Sequence, residues 1–312
     1  MSTGTGYAVA PPRATVVIPT RDRPALLRQA IASVEAQSEP SWELIVVDDS
    51  SAVSAAVEIE AAVNAVRRAR LIRLDRSGGA AAARNAGLRL ARGGYVCFLD
   101  DDDTWAPEFL TRMTGVLDAH TGADVAYCRR VVESNGRQRT PTLPDLSGRS
   151  DPLAVLVTGN FIDTSTAIMR RAPLEAIGGF DVELPRLQDW DLWLRLARAS
   201  RFVAVDEVLV RSRDTIGGIS SSPQRLVEAC ALLAEHRPSE LRLDRRARGD
   251  FLYALATLLM VGGAPAEATR YFRRALRARP WPLRRWAAAS AAAFTPWLYR
   301  VVTRMRLAAG KG

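Results

Sequence analysis

"GGYVCFLDDDDTWAP", residues 93–107, runs from an apolar stretch straight into four consecutive aspartates. A solvated acidic loop would account for the charge, and so would a cleft that holds a cation. The neighbouring sequence decides between them. Upstream, "ATVVIP" (14–19) has the β-branched content of a short buried strand, and "TRDRPALLRQAIASVEAQ" then places Leu26, Leu27, Ala30, Ile31 and Val34 at helical spacing. "WELIVV" (42–47) is a second buried strand that runs into Asp48 and Asp49. A helix over about 54–67, a strand "ARLIRL" and a helix over about 80–91 lead into the strand "GYVCFL". The βαβαβαβ alternation predicts a largely parallel sheet.

In such sheets the ligand crevice lies beyond the carboxyl ends of the strands. The loops "PTRDR", "DDSS", "RSGGAAAARN" and "DDDD" are expected to meet there, which brings both acidic clusters to one edge. Mutually repelling carboxylates facing one cleft favour a divalent cation between them. Aspartate oxygens suit Mg²⁺ or Mn²⁺, and magnesium is usually held by one or two carboxylates plus substrate phosphates. A nucleoside diphosphate would supply those phosphates. The loops match neither G-x-x-x-x-G-K-[ST] nor G-x-G-x-x-G, so this nucleotide site is of another kind.

Length and composition agree with a large folded unit: 312 residues, 48% hydrophobic. The formal charge of +9 is local, since residues 225–312 hold 17 Arg/Lys against 6 Asp/Glu, whereas residues 1–224 hold 26 against 28. Cys97, Cys128 and Cys230 are scattered without a C-x-x-C pair, which argues against zinc or a disulfide framework. "MSTGTGYAVAPPRAT" lacks the apolar core of a signal peptide, so residues 1–13 are read as a flexible lead and the chain is expected in the cytoplasm. The apolar segments fall short of the ~20 residues that span a bilayer.

The pieces "VVIPTRDRPALLRQAIASVEAQ", "ELIVVDDSS", "GGAAAARNAGLRLARGGYVCFLDDDDTWAPEFL", "TSTAIMRR", "IGGFD" and "LQDWDLWLRL", in that order over roughly residues 13–213, resemble the family-2 glycosyltransferases with the GT-A fold. The resemblance implies an α/β, Rossmann-like domain over 14–224 with a mainly parallel central sheet. Its nucleotide-binding half would cover about 14–108 and its acceptor half about 109–224. It also implies metal-dependent, inverting transfer of a sugar from a nucleotide-sugar donor to an acceptor hydroxyl.

By that resemblance Asp49, with Asp48 beside it, binds the base or ribose of the donor, the alternative being an aspartate that caps a strand-end turn. Thr20 and Asp22 take nucleotide-facing positions, while Arg84 and Asn85 contact phosphate, ribose or only the neighbouring strands. The D-x-D motif falls on Asp100, Asp101 and Asp102: Asp102 ligates the Mn²⁺ or Mg²⁺, Asp101 faces the ribose and Asp100 supports the site. Asp103 or Thr104 is expected instead to cap a helix that begins near Pro107. Asp189 is the general base, near the N-terminus of an amphipathic helix that buries Leu192, Trp193 and Leu196. Relatives usually read Glu-Asp where this chain reads Gln188-Asp189, and Asp191 is expected to support the helix. In "VRSRDTIGGISSS", where relatives often carry a histidine, Arg213 is placed near the diphosphate, with Asp214 or water in the histidine's stead.

Beyond residue 225 the chain reads as a basic α-helical region outside the resemblance. "FLYALATLLMVGGAPAEATRYFRRALRARP" (251–280) forms two helices broken at Gly262-Gly263, which need a surface to pack on. Arg270, Arg273, Arg274 and Arg277 share one helical face, and residues 270–312 contain eleven basic residues and no acidic one. That face is either solvated or attaches peripherally to an anionic membrane, with Trp281, Trp286, Trp297 and Tyr299 at the interface. Nucleic acid ranks lower as a partner, because no recognisable module accompanies the charge. "PLRRW" has Pro282 where the Q-x-x-R-W of processive synthases needs Gln, so one sugar per encounter is expected. The acceptor is expected to be a cell-surface or lipid-linked glycan, or else a small molecule. Two competing readings are a nucleotidyltransferase on a related sheet and a noncatalytic scaffold built on the C-terminal helices.

Overall fold

A computed structural model of the chain describes residues 10–134, 136–213 and 222–278. Asp214, the aromatics Trp281, Trp286, Trp297 and Tyr299, "PLRRW" and the first nine residues of the lead lie outside the described residues. In chain order the elements are β1 (Ala14–Thr20), α1 (Pro24–Glu35), β2 (Trp42–Asp48), α2 (Val53–Asn64), β3 (Ala69–Arg73), α3 (Gly79–Leu88) and β4 (Tyr95–Phe98). Then follow β5 (Thr104–Trp105), α4 (Phe109–Ala119), β6 (Val125–Ser134), β7 (Arg137–Arg139), α5 (Leu153–Leu156) and a 3₁₀ turn at Thr164–Thr166. β8 (Ala167–Arg170), α6 (Arg171–Ala176), α7 (Gln188–Leu196), β9 (Phe202–Arg213), α8 (Pro223–Glu240), α9 (Arg245–Val261) and α10 (Pro265–Ala278) complete them.

One sheet runs in the order β3-β2-β1-β4-β8-β6-β9-β5, with β7 on the side of β6. β3, β2, β1 and β4 are parallel, as the alternation predicts. Beyond β4 the sheet becomes mixed: β8 pairs antiparallel with both β4 and β6, and β9 runs parallel to β6. The parallel part is buried on both faces, so its strands read as unbroken apolar runs. Their residues nevertheless divide by alternation. Val17, Ile45, Val47, Val96 and Phe98 face α3 and α7, whereas Val16, Ile18, Leu44, Val46 and Cys97 face α1, α2 and α4. Gly87 lets α3 lie directly on β1, since a Cβ there would come within 2.4 Å of Val17.

The C-terminal helices share the first of these cores. Leu226, Cys230 and Leu233 of α8 and Phe251, Leu255 and Leu259 of α9 are buried in the same cluster as Trp190 and Leu194 of α7. The Phe251 ring lies 5.3 Å from that of Trp190. α8 also delivers Arg237 onto Asp191, a carboxylate with no exposed surface, and onto Asp181 and Glu240. Arg195 takes the other oxygen of Asp191 at 2.8 Å, so Asp191 supports its helix through paired charge.

Candidate active site

Three parallel strands end at the same edge. Thr20 at the end of β1 is level with Asp48 at the end of β2, and the Asp49 N–H continues the ladder by donating to the Thr20 carbonyl at 2.9 Å. Val17 is level with Phe98, so the aspartate run begins at this edge too.

The run turns at once, with the Asp103 N–H donating to the Asp100 carbonyl at 3.1 Å, and the four carboxylates point to different partners. Asp100 accepts from Arg84 at 2.5 Å. Asp101 is buried and accepts from the Thr20 hydroxyl at 2.8 Å. Arg23 lays one nitrogen across Asp101 and Asp102, at 3.2 and 3.3 Å. Burial pushes the Asp101 carboxyl up to about 6, against the pull of Thr20 and Arg23 and with help from the neighbouring Asp102 and Asp100.

Asp103 does not cap a helix. Residues Thr104 and Trp105 pair with Arg211 and Val210 of β9, so the helix is delayed to Phe109, and its Ncap Glu108 makes no side-chain cap bond. Asp103 is left buried beside Ser165 and Ser212, whose hydroxyls oppose the effect of burial and of Asp100, and its pKa is pushed up to about 8. An unfolded Asp ionises near 3.8, so the folded chain holds a proton over a window in which the unfolded chain does not. The stability from this proton is complete below 3.8 and is lost as pH rises through about 8. Asp103→Asn cannot ionise, so its melting temperature should gain on the parent's as pH is raised from about 5 to about 8. Paired thermal melts at the two pH values check this, and a gap that stays constant would count against it.

The second acidic cluster is held by loops. Asp49 accepts from the Ser77 hydroxyl at 2.7 Å and from the N–H groups of Gly78 and Gly79 at 2.7 and 3.0 Å, which pins the start of α3. Gly79 sits at φ +80°, where a side chain would be strained. Asp48 accepts from the Ser51 N–H at 2.9 Å, while its other oxygen is buried without a hydrogen bond, 3.6 Å from Arg73. Asp22 accepts from the Ala52 N–H at 2.7 Å and joins the first loop to the second.

Asn85 and Arg213 stand differently. The Asn85 amide donates to the Phe180 carbonyl and accepts from the Phe180 N–H, at 2.8 and 2.9 Å, so it ties α3 to the loop after α6. Arg213 ends β9 and donates to Gln29 of α1 at 2.8 Å.

Asp189 lies in the first turn of α7, whose Ncap Leu187 adopts φ +61°. It takes a hydrogen bond on each oxygen, from the Asn160 amide at 2.9 Å and from the Trp190 N–H at 2.8 Å. Burial raises its pKa, and these two bonds together with Arg84 oppose the rise. Arg84 connects the two acidic centres, because it reaches Gln188 at 3.4 Å as well as Asp100. Trp190 and Trp193 fix α7 by donating to the Leu156 and Ile162 carbonyls, both at 2.7 Å.

Arg23, Asn160, Asp163 and Ser165 are parts of the site that the sequence reading did not single out. Arg23 is in the quoted "PTRDR" loop, Asn160 and Asp163 lie just ahead of the quoted "TSTAIMRR", and Ser165 lies within it. Ser165 holds the aspartate turn by accepting from the Asp100 N–H at 3.1 Å and from the Trp105 indole at 2.8 Å.

Among the described residues no three Asp, Glu, His or Cys side chains converge on one point, so the chain builds no closed metal cage. The donor set fits a divalent cation shared with a diphosphate, which needs only one or two carboxylates from the protein. Asp102, paired with Arg23 at 3.3 Å, would be one such carboxylate.

The glycosyl transferase family 2 profile matches residues 15–178, just over half of the chain. The succinoglycan biosynthesis protein ExoO of Rhizobium meliloti is 40% identical over 127 residues, which cover 40% of this chain and 36% of ExoO. The chain spans less than two thirds of several other curated relatives, 20% of one and 63% of another. The crystal structure of Staphylococcus aureus TarS residues 1–349 with UDP-GlcNAc has the same fold, with a TM-score of 0.66 at 20% identity over 94% of this chain and 92% of that one. The mannosyltransferase PcManGT of Pyrobaculum calidifontis, solved with GDP-Man and Mn²⁺, gives 0.60 at 21% identity over 95% and 84%. The chain, an α/β protein with the GT-A fold and a helical C-terminal region, belongs to glycosyl transferase family 2.

Proposed function

We propose that the protein transfers one sugar per encounter from a nucleotide-sugar donor to an acceptor hydroxyl, with inversion and with a divalent cation. One juxtaposition carries this: Arg84 joins Asp100, at the edge where three strands end, to the first turn of α7, where Asp189 sits. On this reading the base and the diphosphate would be served from opposite ends of one guanidinium. Asp189 would take the proton of the attacking hydroxyl, and a placed base of this kind contributes on the order of 10²–10⁴-fold. Burial around Asp189 favours that proton transfer by raising its basicity. Asp102 would hold the cation, which when bound supplies Lewis-acid charge for the departing phosphate. Asp48, with its unbonded buried oxygen, and Thr20 line the nucleoside end. The roles of Asp22, Asp49, Asp101 and Arg213 follow as loop and carboxylate supports around the donor. The nucleotide sugars bound by TarS and PcManGT and the Mn²⁺ of the latter favour the same donor class and cation here. The name of ExoO favours a polysaccharide or its lipid-linked precursor as acceptor.

Incubation with a panel of nucleotide sugars and Mn²⁺ or Mg²⁺ tests the reading through slow release of nucleoside diphosphate. Release of inorganic diphosphate from a nucleoside triphosphate would instead mark a nucleotidyltransferase, and inertness towards every donor would favour a scaffold.

No helix among the described residues is long and apolar enough to cross a membrane. Peripheral attachment to an anionic membrane surface is part of the proposal. Arg274 and Arg277 of α10 join Arg245 and Arg248 of α9 around a depression of about 470 Å³ whose described lining contains no carboxylate. Charge reversal at Arg270, Arg273, Arg274 and Arg277 should release the protein from phosphatidylserine vesicles in a sedimentation assay, and added salt should do the same to the parent. Binding that ignores salt would contradict attachment through this face.

A further inference from the structure

Asn160 spends only half of its amide. Its nitrogen donates to Asp189, whereas its oxygen is buried and has no hydrogen-bond partner. An unmet buried acceptor is destabilising, and native proteins keep one where something else fills it. Turning the amide over would press its oxygen against the Asp189 carboxylate, so charge fixes the orientation. The free atom can only accept, and it sits on the same amide that holds the base.

The charged side chains of the neighbourhood are held by other partners, although the Arg84 Nε is, like the Asn160 oxygen, buried without one. Arg130 binds Asp163 at 2.7 Å, Arg84 binds Asp100, and the Asp163 carbonyl receives the Thr166 N–H and hydroxyl. None of these pairs supplies a donor to the Asn160 oxygen. An acceptor hydroxyl that gives its proton to Asp189 would lie beside the amide that holds this carboxylate, and a hydroxyl on the next carbon would supply the bond that the amide oxygen lacks.

We propose that Asn160 both holds Asp189 and accepts a hydrogen bond from a second, adjacent hydroxyl of the acceptor, so that the enzyme recognises its acceptor as a vicinal diol. The proposal rests on Asp189 being the base. It makes Asn160 a residue with two separable tasks: the N–H stabilises the ionised base and the oxygen reads the substrate.

The test uses the full chain, a nucleotide sugar that it hydrolyses, and two small alcohols as acceptor probes: ethylene glycol, a vicinal diol, and 1-propanol, with one hydroxyl. Glycoside formed from each is measured by mass spectrometry. The parent should favour the diol by about 10-fold, the worth of one hydrogen bond to an otherwise unmet buried group. Asn160→Ala should bring the two rates within about twofold of each other. Asn160→Asp keeps an acceptor oxygen, so it should keep the diol preference. Both variants lose the N–H, so the acid limb of the pH–rate profile should move to higher pH, with Asp100 and Asp163 pushing in the same direction and Arg84 and Arg186 facing Asp189 from the other side.

Equal rates for the two alcohols in the parent, no glycoside from either, or a diol preference that survives in Asn160→Ala would overturn the proposal. Asp189→Asn separates the two layers. If it keeps normal turnover, the base reading itself has failed. If it is inactive while Asn160→Ala still prefers the diol, only the role of Asn160 has failed.

Discussion

Asp189→Asn is expected to lower acceptor-dependent turnover by at least ~10²-fold while donor affinity barely changes. The replacement keeps the size of the side chain and one of the two acceptor oxygens that Asn160 and the Trp190 N–H use, but it cannot take a proton at neutral pH. Gln188 offers no carboxylate next to it. Asp163, whose charge reaches Asp189, is committed to Arg130 at 2.7 Å. Steady-state kinetics together with titration of the donor check the split. More than about a tenth of normal turnover, where chemistry limits the rate, would contradict the assignment. An equal loss of donor binding would make Asp189 structural. In the parent, activity should fall with acid at a pH above the ordinary carboxylate range, because burial raises the Asp189 pKa and only the ionised form accepts the proton.

Asp102→Asn should cost about 10³-fold or more in turnover, because Lewis-acid stabilisation of a departing phosphate is worth several kcal/mol. Metal-supported donor binding should weaken in parallel. Arg23 still has Asp101, so the loop and the fold should survive, and circular dichroism and a thermal melt will show whether they do. Donor affinity measured with and without Mn²⁺ is the decisive comparison: in the variant the two values should coincide. Ordinary turnover in the variant would refute Asp102 as the ligand.

The first part of the sheet was legible because its strands are buried on both faces and its helices are amphipathic, so the apolar runs from Ala14 to Phe98 announce themselves. The later strands were not. β6 passes from Val125–Cys128 into Arg129 and Arg130, and β9 mixes Asp206 and Glu207 into its middle, so neither carries one clear period. β5 is two residues long and owes its existence to β9, about a hundred positions away, which is why Asp103 was read as a cap. Pairings such as Arg23 with Asp101 or Asn160 with Asp189 depend on loops brought together from 78 and 29 positions apart, and local sequence holds no trace of them.

The helix that presents Asp189 is gripped from behind by Arg237 and by Phe251. Recombination between relatives is therefore constrained. A crossover near residue 224 that brings in a foreign tail without an arginine opposite Asp191 would leave a fully buried carboxylate short of a partner, a loss of about 3–5 kcal/mol. Set against the 5–15 kcal/mol typical of a whole domain, that is enough to remove most such hybrids before their catalysis is ever sampled. The stretch that is best inherited as one piece extends past the family motifs into α9.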